Sequence, residues 1–135
     1  MEVGSWKLDA GGGDMAIKSY RDFEVYQRAH KLIIPIYKLA DSLPKDERFD
    51  LRSQMRRACK SVVSNFVEGY SHKDTPTKMK SFWRNSMGSA NEMVEHLEQA
   101  VMLDYISAAN TEPHVAEYTI IAKQLNVLIK NWRKF

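Results

Sequence analysis

Four stretches of this chain repeat apolar residues at intervals of three and four, and none alternates apolar with polar residues. That period matches the 3.6-residue turn of a helix with one buried face, not the two-residue period of a half-exposed strand. The chain is therefore read as all-α, an antiparallel up-and-down four-helix bundle whose short connections set sequential helices side by side. The first stretch runs from near Asp22 to Ser42, with a seam of Tyr26, Ala29, Ile33, Ile36, Ala40 and Leu43. Pro35 inside it removes a backbone hydrogen bond and clashes with the carbonyl of Lys31, so a kink is expected there. The second starts at Asp50 as N-cap, carries Leu51, Met55, Ala58, Cys59, Val62, Phe66 and Tyr70 on one face, and stops near Ser71. The third opens at Asp74-Thr75-Pro76 and is expected to bury Met79, Phe82, Trp83, Met87, Ala90, Val94, Leu97 and Val101. The last begins near Thr111 with Pro113 in its first turn, and its face is Val115, Tyr118, Ile121, Ala122, Leu125, Leu128, Ile129 and Trp132.

With 135 residues, 44% of them hydrophobic, the chain can bury one core without covalent staples. Residues 1–18, which hold Gly11, Gly12 and Gly13 but no apolar period, read as a flexible tail, leaving 19–135 for the bundle. The lone Cys59 cannot close an intramolecular bridge and points to a reducing compartment, the cytoplasm. No apolar run approaches the ~20 residues of a membrane span, and no signal-peptide layout is present. No membrane role is expected.

Two polar strips stand beside the apolar faces. On the second helix, Gln54, Arg57, Ser61, Asn65 and Glu68 fall on one line at 100° per residue. They read as a hydrogen-bond ladder to a neighbouring helix or subunit. Ser61 as a nucleophile with Glu68 as base is rejected, because no histidine shares the strip to take the proton. On the third helix, Ser81, Asn85, Gly88, Ser89, Glu92 and His96 form an outer patch of mostly small residues. A mid-helix glycine costs ~1 kcal/mol against alanine, which makes Gly88 a candidate point of close approach by a second copy.

Net charge is +3 and the pI about 9.0, which permits an acidic partner without demanding one. Distribution says more. Residues 45–84 carry ten Lys/Arg against five Asp/Glu, residues 85–122 carry six acids and no Lys/Arg, and residues 123–135 carry four bases. In a hairpin of helices two and three, Arg52 is expected opposite Glu95, and Arg56 near Glu92 and Glu95, where they would be neutralised. The basic end that survives gathers Lys73, Lys78, Lys80, Arg84, Lys130, Arg133 and Lys134, joined by Lys18, Arg21 and His72. Such an end can hold phosphates by counterion release. Tyr70, Trp83, Trp132 and Phe135 lie near it and could stack on unpaired bases, with core packing the competing use for the two tryptophans. The opposite end collects Asp41, Asp46, Glu47, Asp50, Asp104, Glu112 and Glu117.

Other chemistry lacks its residues. His30, His72, His96 and His114 lie one per segment without Cys or Asp companions at ligand spacing, so neither a metal site nor a cofactor is expected. The glycine run lacks the strand and the Lys-Ser/Thr of a phosphate loop.

An ordered set of short motifs resembles a known family: the run Phe23 to His30, Leu43-Pro44, the run Leu51 to Ala58, Ser61, Asn65, Glu68-Gly69, and the run Gly88 to Glu92. The chain resembles the bacterial four-helix-bundle family whose members include proteins encoded in intervening sequences of large-subunit ribosomal RNA genes, described as ribosomal proteins. Relatives of the accessory variability protein of diversity-generating retroelements belong there too. The likeness covers roughly residues 20 to 132. It departs at Val63, where many members carry proline, and at Pro35, which is not part of the pattern. The resemblance implies a homo-oligomer, typically a pentameric ring, and no catalysis. In the retroelement branch it also implies a basic surface that binds nucleic acid and a reverse transcriptase. The chain is accordingly read as a non-enzymatic, homo-oligomeric accessory protein that binds structured RNA or an RNA–DNA duplex. The alternative is a protein-binding scaffold with no nucleic-acid role.

Overall fold

The computed structural model describes residues 17–132 apart from residue 48. Five α-helices account for most of them: α1 (Glu24–Lys31), α2 (Ile33–Asp41), α3 (Leu51–Ser71), α4 (Pro76–Met102) and α5 (Ala108–Asn131), with 3₁₀ turns at Tyr20–Asp22 and Lys45–Glu47. No strand occurs among the described residues. The first amphipathic stretch is thus two helices. Pro35 has no N–H to give the Lys31 carbonyl, and the ladder breaks at Leu32, whose own N–H turns back to Ala29 O at 3.2 Å. Beyond the break Ile36 N–H resumes the helical pattern on Leu32 O at 2.9 Å.

Of the expected tail, residues 1–16 lie outside the described residues, but Ile17 packs against the core and Lys18 N–H donates to Asp22 Oδ2 at 2.9 Å. The same carboxylate takes Ser19 N–H at 3.0 Å, while Ser19 Oγ accepts from Arg21 N–H at 3.1 Å, a reciprocal cap that fixes the chain's entry into the fold. Helix α5 starts earlier than the Thr111 expected, because Ser107 caps it by accepting from Asn110 N–H at 3.2 Å. Pro113 therefore stands inside the helix rather than in its first turn. Asp50 and Thr75 do occupy the N-cap positions of α3 and α4, yet neither side chain makes the capping bond. Asp50 Oδ1 instead accepts from Gln54 Nε2 at 2.9 Å.

The helices meet in pairs whose residue numbers run in opposite directions. Between α3 and α4, Arg57 reaches Glu92, Ser61 meets Ser89, and Trp83 Nε1 donates to Phe66 O. Between α1 and α5, Arg28 Nη1 donates to Glu117 at 2.8 Å and Gln124 Nε2 to Glu24 at 2.9 Å. The α3 face is buried as its period requires: Leu51, Met55, Ala58, Cys59, Val62, Phe66 and Tyr70 all line the core. Burial pushes the Cys59 thiol up to about 11, so it stays protonated at neutral pH.

On α4 the expected face is turned by about one residue. Met79, Trp83, Ala90 and Leu97 are buried as read, but Ser86, Ser89, Met93, His96 and Ala100 complete the face, while Phe82, Met87, Val94 and Val101 are only half-buried. Small polar residues can occupy a core seam where two helices approach closely and each hydroxyl finds a partner. Ser86 Oγ donates to Val62 O at 2.6 Å, and Ser61 and Ser89 share a hydroxyl bond at 2.9 Å.

One end of the molecule is closed by aromatic rings. Phe23 lies 5.2 Å from Phe66, 5.5 Å from Tyr70, 6.1 Å from Trp83 and 6.4 Å from Trp132 between centroids. The other end is tied across its two connections, where Tyr105 OH donates to Glu47 at 2.7 Å. There Asp104 adopts a left-handed φ of 61° as α4 terminates, and Tyr105 N–H bonds back to Ala100 O at 2.9 Å. Glycine takes this conformation without the Cβ penalty. Asp104→Gly is expected to raise stability by ~0.5–1 kcal/mol, read as a higher urea midpoint with an unchanged slope.

Candidate nucleic-acid interface

Lys73, Lys78, Lys80, Arg84 and Lys130 stand around the aromatic-closed end, because the α3–α4 turn and the end of α5 converge where Trp83 and Trp132 pack edge-on at 5.4 Å. Lys80 is half-buried and the other four are exposed. None of the five makes an ion pair among the described residues. Lys73 Nζ sits 4.5 Å above the Tyr70 ring, which holds its charge against the cluster. Arg133 and Lys134, placed at this end from sequence, lie outside the described residues, as does Phe135. Tyr70, Trp83 and Trp132 are all buried, at 8%, 0% and 6% exposure, and therefore unavailable to stack on bases. Trp83 and Trp132 pack on each other, and Tyr70 packs on Phe23.

The acidic end is partly neutralised within the chain. Asp41 pairs with Arg52 at 2.9 Å and lies 3.9 Å from Arg56, and Glu117 pairs with Arg28. These contacts correct the expected partners of Arg52 and Arg56: both turn to α2, and the arginine that reaches Glu92 is Arg57. At 100° per residue, one position along α3 moves a side chain from the α4 side to the α2 side.

The polar strip of α3 is largely satisfied by the chain itself. Arg57 binds Glu92, Ser61 binds Ser89, Asn65 Nδ2 donates back to Ser61 Oγ at 2.8 Å, and His72 Nε2 lies 3.3 Å from Glu68. Burial opposes the charge on Glu92, but hydrogen bonds from His96 and Arg57 outweigh it and hold the carboxyl below its ordinary range. Ser89 and His96, expected on the outside, are buried at 8% and 5% exposure as part of this α3–α4 seam. Ser81, Asn85 and Gly88 do face outward. An added Cβ at Gly88 would meet no atom within 4 Å, so nothing in the chain demands glycine there. Gly88→Ala is expected to stabilise the fold by ~1 kcal/mol, measured as a rise in the urea midpoint.

A family model described as 23S rRNA-intervening sequence protein matches residues 21–127. The chain belongs to that family. A comparison with curated proteins finds no match. The family match begins inside the capped entry turn, at Arg21, and spans the Phe23, Ser61, Asn65, Gly69, Gly88 and Glu92 positions. In this member of the 23S rRNA-intervening sequence family, most of those positions have structural work within one chain: Phe23 anchors the aromatic end, Ser61 and Glu92 tie α3 to α4, and Asn65 bonds back to Ser61 within α3.

No helix among the described residues is long and apolar enough to cross a membrane. Sequence reading passed over one further basic region. Lys60 follows Arg56 by one helical turn, a spacing that was available as a signal, and both approach the Tyr37 ring of α2.

Proposed function

We propose that this member of the 23S rRNA-intervening sequence family is a non-enzymatic cytoplasmic accessory protein that binds structured RNA or an RNA–DNA duplex through its basic end. In this reading the opposed helix pairs make an antiparallel up-and-down four-helix bundle. Copies of it assemble into a homo-oligomer, a pentameric ring, through the outward part of the α4 patch at Ser81, Asn85 and Gly88. A reverse transcriptase is a further partner if the chain serves a retroelement. The observation that supports binding is the set Lys73, Lys78, Lys80, Arg84 and Lys130, five cations at one end without an acidic partner among the described residues. Repeating that end around a ring would turn weak phosphate contacts into avid binding.

The test is fluorescence anisotropy of a labelled RNA hairpin over a salt series, with the assembly's mass followed in parallel by native mass spectrometry. Affinity is expected to fall steeply with salt, with a log–log slope of about 0.7–0.9 per phosphate contacted, and Lys78→Glu with Lys80→Glu is expected to weaken binding and flatten that slope. Equal affinity at low and high salt, or no binding at low salt, overturns the nucleic-acid reading. A monomeric mass overturns the ring.

One observation favours the alternative, a protein-binding scaffold. Phe49, Met102 and Leu103 are 84%, 80% and 51% exposed, Phe49 and Leu103 on the two connections that meet at the Tyr105–Glu47 bond and Met102 at the end of α4 beside them. Large apolar side chains gathered at one end suit a protein partner.

A further inference from the structure

Away from the basic end, the side of the molecule where α3 passes α2 holds an open groove of about 410 Å³, lined by Tyr37 of α2 and by Ser53, Arg56, Arg57, Lys60 and Ser64 of α3. The α3 positions recur at three and four, so they share one face; from Ser53 to Ser64 that face runs roughly 16 Å at 1.5 Å per residue. Three cations line the groove and no carboxylate does. Arg56 lies with its guanidinium carbon 4.6 Å above the Tyr37 ring, and Lys60 Nζ is 6.0 Å from the same centroid, so an aromatic floor positions both. Their acidic neighbours are few. Asp41 is 3.9 Å from Arg56 and closer to Arg52, Glu92 engages a single Nη of Arg57, and Lys60 makes no ion pair among the described residues. A guanidinium carries five N–H donors, so most of those on Arg56 and Arg57 remain unused.

Like charges three and four residues apart on a helix repel and destabilise it. Here Arg56, Arg57 and Lys60 are held together on one face; Asp41, Glu92 and the Tyr37 ring offset part of that repulsion, and an anion laid along the groove offsets the rest. The groove is open and extended rather than a closed pocket, which suits a run of phosphates better than a single small anion. Arginines grip phosphate oxygens in pairs, and lysine adds a point charge between them.

We propose that this groove is a phosphodiester track, a second contact for the nucleic-acid backbone separate from the basic end, with Arg56 and Lys60 as its principal ligands. The proposal rests on the nucleic-acid reading above and adds a location which that reading does not contain.

Three double variants of the full chain separate the possibilities, each checked for an unchanged far-ultraviolet spectrum and native mass: Arg56→Glu with Lys60→Glu in the groove, Lys78→Glu with Lys80→Glu at the basic end, and Lys31→Glu with Lys123→Glu as a control of equal charge change on exposed residues elsewhere. Lys60→Glu alone, which breaks no ion pair, stands in for the groove variant if loss of the Asp41 contact impairs folding. With the labelled RNA hairpin as probe, the groove variant is expected to bind at least about tenfold more weakly, with a salt slope reduced by roughly two contacts, while the control stays within about twofold of wild type. Wild-type-like binding by the groove variant, with loss only in the basic-end variant, overturns the track and leaves the broader reading intact. An equal loss in the control reduces the effect to net charge and also overturns it. A changed native mass in the groove variant assigns the groove to contact between copies instead, and no binding by wild type overturns both readings together.

Discussion

Phe23→Ala is expected to destabilise the fold by about 3–5 kcal/mol, the largest effect of any single truncation considered, although Phe23 lies outside every helix. The residue is the N-cap of α1, with extended backbone angles that aim its side chain into the bundle instead of along a helix face. It is fully buried and touches rings from α3, α4 and the residue after α5. Removing it opens a cavity walled by Phe66, Tyr70, Trp83 and Trp132, flat rings that cannot collapse into the space without leaving their edge-on and stacked arrangements. Urea unfolding followed by tryptophan fluorescence would measure the loss and report the altered surroundings of Trp83 and Trp132 together. A cost below about 1 kcal/mol would mean that the aromatic end is held by its helices alone.

Gly69→Ala is expected to cost about 1–3 kcal/mol, opposite in sign to the same change at Gly88. An ideal Cβ at Gly69 would fall 2.5 Å from Trp83 Cδ1, 2.7 Å from its Nε1 and 3.0 Å from the carbonyl oxygen of Met79. The indole cannot move aside. It is buried, stacks on Phe66 at 5.1 Å, and donates its N–H to Phe66 O at 3.1 Å. Relief must therefore come from spreading α3 and α4 where Gly69 meets Trp83 and Met79, which also loosens Met79. The usual helical gain of ~1 kcal/mol on replacing glycine is outweighed here and kept at Gly88, where the added methyl meets open space. Equal shifts in urea midpoint for the two variants would contradict this account.

The helical character of the chain and the core face of α3 were legible because both follow from a period that any amphipathic helix must show. The break near Pro35 was legible for an equally local reason, a missing N–H. Less visible was the rotation of α4. Phe82, Met87, Val94 and Val101 offered a more hydrophobic stripe than Ser86, Met93, His96 and Ala100, yet the second set is the buried one. Hydrophobicity alone ranks these stripes wrongly, because a serine whose hydroxyl is bonded to Val62 O costs little to bury and permits a closer helix crossing. The candidate interface divides in the same way. Lys73, Lys78, Lys80, Arg84 and Lys130 could be gathered at one end from connectivity, but the groove of Arg56 and Lys60 was hidden because the charge of Arg56 was assigned to Glu92 and Glu95 and Lys60 was not considered with it. Long side chains near a helix boundary choose between neighbours through a rotation of one residue.

By itself the sequence determined four amphipathic segments, their approximate limits, the split of charge along the chain and membership in a family, since each depends on residue order and local periodicity. Only the tertiary structure decided that Phe23 caps the aromatic end, that Gly69 is required and Gly88 is not, and that Arg57 rather than Arg56 meets Glu92. Those outcomes depend on distances of a few ångströms between helices far apart in sequence, which no pattern within one helix encodes.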